Sequence, residues 1–212
     1  MGDITNNGSL IVESGADLMS FESGNFSGND VIIKRNTRYA DGRYSFVGTP
    51  VQQTSNVTNT TVGSHVYTYD ETQSYDPNDG LDRWVAVSGE LIPGVGYTQA
   101  MQQEIVFEGV PNVGTVNVMG TYTGTYDDAT NEENEGWVFV SNPYATAIDV
   151  EDFLAQTNIE GAVYIWDDNG SDTDRGTNSD YIIANGTVAT NTTPAGGQTR
   201  FNGNLGSGQG FF

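Results

Sequence analysis

Two stretches gather oxygen ligands at spacings that suit a hard cation. In "YIWDDNGSDTDRGTNSDY", residues 164–181, Asp167, Asp168, Asn169, Asp172, Asp174 and Asp180 lie between two apolar runs. In "DETQSYDPNDGLDRW", Asp76, Asn78 and Asp82 fall at even spacing around Gly80. Calcium takes carboxylate, amide and carbonyl oxygens in flexible glycine-containing loops, so Ca2+ is the cofactor these residues imply. Neither stretch reproduces the twelve-residue calcium loop. Counting from Asp167 puts Ser171 fifth, Asp172 sixth where glycine is needed, and Asn178 twelfth where a bidentate glutamate is needed. The competing reading is a solvated turn, because Asp-Pro and Asn-Asp-Gly are ordinary turn chemistry. A third acid-rich stretch, "YDDATNEENEGW" with Asp127, Asp128, Glu132, Glu133 and Glu135, reads as a solvated hairpin tip.

Other chemistries find fewer residues. His65 is the only histidine and there is no cysteine, which excludes a histidine-rich zinc site, a Cys-His pair and any disulfide. A serine triad would need His65 as its base, yet "GSHVYTYD" reads as strand and carries no nucleophile elbow. Among 28 Asp and Glu some pairs always fall close, so proximity alone does not mark a glycosidase. The expectation is a protein that is not an enzyme. Sugar binding would use aromatic faces beside amides and carboxylates. Trp84, Trp137 and Trp166 all sit in strand-like segments where core packing is the commoner role, while Tyr67, Tyr69, Tyr122 and Tyr126 alternate with polar residues and can share one face. Sequons begin at Asn7, Asn25, Asn56, Asn59, Asn169, Asn185 and Asn191, as chance supplies in a chain so rich in Asn, Ser and Thr.

The elements that would carry these residues are β-strands. Runs such as "SLIVES", "DVIIKRN", "YSFVGTPV", "HVYTYD", "RWVAVSG", "GYTQAM", "EIVFEGV", "GTVNVMGTYTG", "GWVFVSN", "AVYIWD" and "DYIIAN" recur between clusters of Gly, Asn, Asp, Ser and Pro. Alternation in "TVNVMGTYTG" and "HVYTYD" predicts strands with one buried and one wet face. The expected fold is all-β, an antiparallel β-sandwich of jelly-roll type. One short helix is expected in "AIDVEDFLAQTN", with Asp149 as cap, Glu151 and Asp152 in its positive first turn, and Phe153 and Leu154 on its apolar side. Pro143 holds Asn142 extended just before it. Residues 1–30 have the texture of one or two rungs of a parallel β-helix, which cannot bury its own face and must pack on residues 31–212 or on another neighbour. "GSGQGFF" reads as an unfinished strand.

Lys and Arg number 7 against 28 acids, a formal charge of −21, so the field repels nucleic acid and anionic lipid. The polar start has no signal-peptide core, and no apolar run approaches a membrane span, so direct membrane insertion is not expected and any leader would lie outside this sequence.

In order, "YSFVGTPV", "GVGYTQA", "FEGVPNVGTVNV", "GWVFVSNPYATAIDVEDF", "GAVYIWDD" and "GSGQGFF" make the chain resemble a domain of large secreted Bacteroidota proteins, often placed just ahead of a type IX secretion sorting domain. The resemblance covers roughly residues 31–212. It implies an extracellular, secreted or outer cell-surface location, a sandwich-like fold, a preceding repetitive β region and no catalytic role. It carries no functional residues onto this chain. The function expected is therefore a non-catalytic structural or adhesion module whose partners are other surface proteins or glycans. The alternatives are a carbohydrate-binding module and a fibre subunit forming homo-oligomers through its edge strands.

Overall fold

β-Branched and aromatic residues between turn formers pair as their pattern predicts. The computed structural model describes residues 3–19, 24–36, 44–52, 57–60, 66–73, 83–120, 136–156, 159, 161–166, 181–185, 189–191 and 201–212. The strands are β1 (Ile4–Asn6), β2 (Leu10–Val12), β3 (Phe26–Gly28), β4 (Val31–Asn36), β5 (Tyr44–Val47), β6 (Val57–Thr60), β7 (Val66–Tyr69), β8 (Trp84–Val87), β9 (Tyr97–Gly109), β10 (Val140–Ser141) and β11 (Ile148–Asp149). Helix α1 (Val150–Leu154) follows, then β12 (Val163–Trp166), β13 (Tyr181–Ala184), β14 (Ala189–Asn191), β15 (Asn204–Leu205) and β16 (Gly210–Phe211). The chain is all-β, with one short helix among the described residues.

The rung-like start forms two stacked coils. β1 pairs parallel with β3 and β2 pairs parallel with β4, with Ile4 opposite Phe26 and Leu10 opposite Val31. Side chains tie the coils at matching places: Thr5 to Ser27 at 3.2 Å, Asn36 N–H to the Ser14 hydroxyl at 2.9 Å, and Lys34 to Glu13 at 3.2 Å. Gly28 has φ +100°, and a Cβ there would lie 2.1 Å from the Asn6 carbonyl oxygen, so only glycine lets the coils approach. The expected division at residue 30 falls just before β4, which pairs with β2 on one side and antiparallel with β9 on the other. The coils accordingly share one apolar cluster with the large sheet, where Val12, Val31 and Ile33 meet Ile105, Phe107 and Tyr97.

β9 replaces two expected strands with one. The break expected between "GYTQAM" and "EIVFEGV" does not occur: Gln102 and Gln103 keep the strand conformation, so β9 runs from Tyr97 to Gly109. Its first part pairs with β5 and β7, and its second with β4 and β6. Two other expected strands pair less than expected among the described residues. Among the described residues 115–120 join no ladder; Val116 and Val118 lie over Gly94, while Met119 is 92% exposed. Among the described residues, the part of "GWVFVSN" that pairs is β10. In the C-terminal "GSGQGFF", β16 pairs with β10, Phe212 and Tyr164 exchange N–H···O bonds of 3.0 and 2.7 Å, and Gln209 bridges Val47. Its backbone is occupied on the sides where an open edge was expected.

Asp149 caps α1 as its position predicts, accepting the Glu151 N–H at 2.7 Å and the Asp152 N–H at 3.4 Å. Just ahead of it lies Asn142, fully buried. Its Nδ2 donates to the carbonyls of Thr146, Leu205 and Gly206 at 2.7, 3.0 and 3.1 Å, and its Oδ1 accepts the Tyr144 N–H at 2.9 Å. Its backbone bonds Gln209 and Gly208 at 2.9 and 3.1 Å. Asn112, also buried, donates to Pro143 at 2.8 Å on the neighbouring side. Each buried polar group left without a partner costs about 1–3 kcal/mol. Asn142→Ala is therefore expected to lower unfolding free energy in urea by at least about 3 kcal/mol, and Asn142→Asp to do no better, since it sets a carboxylate against three carbonyls; a loss under about 1 kcal/mol would contradict this account.

Candidate functional site

The strand register brings the ends of the acid-rich stretches to one place. Tyr69 on β7 stands opposite Trp84 on β8, and Trp166 on β12 opposite Tyr181 on β13. These pairs flank residues 74–82 and 167–180, and Trp137 follows the third stretch. Phe46 of β5 joins them, with ring centroids 6.0 Å from Trp84, 5.9 Å from Trp166 and 6.4 Å from Tyr181. Phe212 completes the group, stacked on Phe139 at 4.6 Å and meeting Tyr69, Trp84 and Trp137 at 5.2, 5.9 and 5.9 Å. Trp137 also meets Tyr164 edge-on at 4.7 Å. Offset and edge-to-face pairs of this kind contribute about 0.5–1.5 kcal/mol each beyond burial.

Phe46 and Phe139 are buried, while Trp84, Trp137, Trp166, Tyr164 and Phe212 are half-buried. The three tryptophans thus stand between the core role expected of them and an exposed face. Tyr67 packs on Tyr44, with ring centroids 6.4 Å apart. Tyr122 and Tyr126 lie outside the described residues, as does His65.

Polar groups close the base of the first loop. The Asp70 N–H donates to the Arg83 carbonyl at 2.9 Å, and Arg83 Nη1 lies 3.5 Å from the Tyr69 hydroxyl. Glu71 is buried, and its Oε1 accepts the Gly136 N–H, tying this loop to the residue that precedes Trp137. The Asp70 carboxylate accepts the Thr72 hydroxyl at 2.6 Å, the Gln73 amide at 2.9 Å and the Thr72 N–H at 3.0 Å. The Thr72 hydroxyl first, then Gln73, hold it below the usual carboxylate range.

Every candidate calcium ligand, Asp76, Asn78 and Asp82 in one stretch and Asp167, Asp168, Asn169, Asp172, Asp174 and Asp180 in the other, lies outside the described residues. So do Asp127, Asp128, Glu132, Glu133 and Glu135. Among the described residues no group of three or more His, Cys, Asp or Glu can hold a metal ion. What the structure adds is that the two stretches start and finish on one aromatic group. A signal for this was present in the sequence: aromatics bracket each acid-rich stretch in "YDETQ…DRW", "EGW" and "IWDD…SDY".

A protein-family model described as a domain of unknown function (DUF8693) matches residues 2–212. No curated protein and no solved structure matches the chain.

Because its folded carboxylate is held low, Asp70 stabilises the turn fully above the ordinary carboxylate value and loses that contribution as pH falls through its own lower value. An NMR titration of the side-chain carboxyl should give a midpoint below that of exposed aspartates, and Thr72→Val should move it up; equal midpoints in both proteins would remove the assigned cause.

Proposed function

The chain belongs to the DUF8693 family of domains of unknown function, and from that premise we propose a non-catalytic structural or adhesion module of a secreted or outer cell-surface protein. The observation that carries this reading is β4, a single strand that ends a parallel coil stack and begins an antiparallel sheet. Such a strand passes backbone hydrogen bonding and a shared apolar cluster from one architecture to the other without a flexible linker. That is what a module joined rigidly to a neighbour requires. A charge of −21 suits a solvated surface. The Phe46 contacts with β8, β12 and β13 support a sandwich-like facing of the large and three-stranded sheets.

Within this reading the partners are other surface proteins, and the location follows from the resemblance to Bacteroidota domains exported by the type IX route. The test is made on intact cells expressing the full reading frame. Antibody to residues 1–212 should label them, or the protein should be recovered from the medium. Retention inside the cell overturns the location. Turnover of a polysaccharide, abolished by one Asp→Asn change that leaves melting unaltered, overturns the non-catalytic part.

A second reading, glycan binding, is favoured by the gathering of Trp84, Trp137 and Trp166 with Tyr164 as half-buried rings beside acid-rich stretches. It expects a hit on a glycan array that Trp137→Ala removes; an array without hits excludes it.

Calcium is the cation we assign to residues 74–82 and 167–180. Calcium should raise the melting temperature over EDTA, and the pair Asp172→Ala with Asp174→Ala should reduce the rise, by about 2–4 °C for each kcal/mol of binding lost at this chain length. No rise in the wild type would leave solvated turns.

A further inference from the structure

We propose that residues 115–120 are an open strand for a second copy of this chain, the two segments pairing antiparallel about a two-fold axis at Asn117. This names the partner of the structural module and rests on that reading only for its biological setting. The segment has the alternation of a strand yet joins no ladder among the described residues. Val116 and Val118 both lie over Gly94, whose missing Cβ leaves them room, and Gly120 lies against Val138. Every second residue therefore faces the protein, as in an extended chain.

One edge of the segment is taken and the other is open. The Tyr144 hydroxyl donates to the Gly114 carbonyl at 2.8 Å and accepts the Val116 N–H at 3.4 Å. In a strand the N–H and carbonyl of one residue point to one side and those of the next residue to the other. Thr115, Asn117 and Met119 thus turn their backbone groups away from Tyr144, where they meet no hydrogen-bond partner among the described residues. Their side chains are exposed as well.

The surroundings are apolar and carry no charge. Val118 and Val138 are each 37% exposed and Ile92 55%, beside the outlying Met119 and the half-buried Val116. Residues 91–103, 109–126 and 136–148 hold no Asp, Glu, Lys or Arg in a chain with 28 acids. These runs pack together: the Ser141 N–H donates to Gly94 at 2.8 Å and the Gly96 N–H to Phe139 at 3.1 Å.

This neutrality selects the occupant. A partner drawn by charge would be met by acids, whereas two chains of charge −21 repel least where neither presents any. The register is also self-complementary. Matching faces across a two-fold axis sets Asn117 opposite Asn117 of the second copy, Val116 opposite its Val118, and Thr115 opposite its Met119. The residues with outward backbone groups then form the pairs that exchange both N–H···O bonds.

The chain has no cysteine, so Asn117→Cys introduces a single thiol. Opposite residues in such a pair have Cα atoms about 5.5 Å apart, inside the range of about 4.4–6.8 Å that a disulfide spans. Under mild oxidation Asn117→Cys should form a covalent dimer at least about tenfold faster than Ala155→Cys, an exposed position at the end of α1. Equal rates overturn the proposal. In the unsubstituted chain, hydrogen exchange at the Asn117 amide should slow at least about tenfold as protein concentration rises, and Asn117→Asp, which sets two carboxylates face to face, should remove that protection. A chain still monomeric at about 1 mM overturns the pairing. Association should tighten as salt screens one chain from the other; weakening with salt would assign the edge to an oppositely charged partner and overturn the second copy. All of this is measured on purified protein, so failure here and failure of the surface-location test are separate results.

Discussion

One carboxamide holds the second half of the fold together. Asn142 makes six hydrogen bonds from a fully buried position, and they reach the turn after Pro143, the Leu205–Gly206 backbone and the loop before the last strand. No other side-chain type supplies two donors and an acceptor in that plane at that size. β10, β11, β15 and β16 are each two residues long and too short to persist alone. They stay paired because Asn142 fixes the segments that carry them, and because Phe211, Leu205, Val150 and Val163 bury one apolar cluster beneath.

β9 does the corresponding work in the first half. Its 13 residues exchange neighbours partway, so the coil stack and the strands that carry Phe46 and Trp84 hang from one backbone. Ile105 and Phe107 on its inner face are 0% and 1% exposed and anchor the larger apolar cluster. Arg35 on β4 then donates to the Gly208 carbonyl, the same turn that Asn142 holds. Burial lowers its guanidinium to about 10, which leaves it charged at neutral pH. The two halves are therefore joined at Gly208 by polar contacts, with Phe46 and Phe212 joining them by ring contacts nearby.

The aromatic contacts also gather at the ends of strands. Rings from β5, β7, β8, β12 and β13 and from the chain's last residue converge, and the acid-rich stretches begin and end there.

Much of this was legible beforehand where the cause is local. The β-branched runs predicted an all-β chain, Asp149 predicted the cap of α1, the texture of residues 1–30 predicted parallel coils, and the count of acids fixed the sign of the field. Each depends on neighbours within a few residues. That residues 115–120 join no ladder among the described residues was not legible, because alternation describes a strand's faces and not whether a partner exists. Nor was the role of Asn142, whose Leu205 partner lies 63 residues away. The same holds for the meeting of Phe46, Trp84, Trp166 and Phe212. Those contacts form only when distant segments close on one another, and the pattern of a short segment carries no information about which segment it will meet.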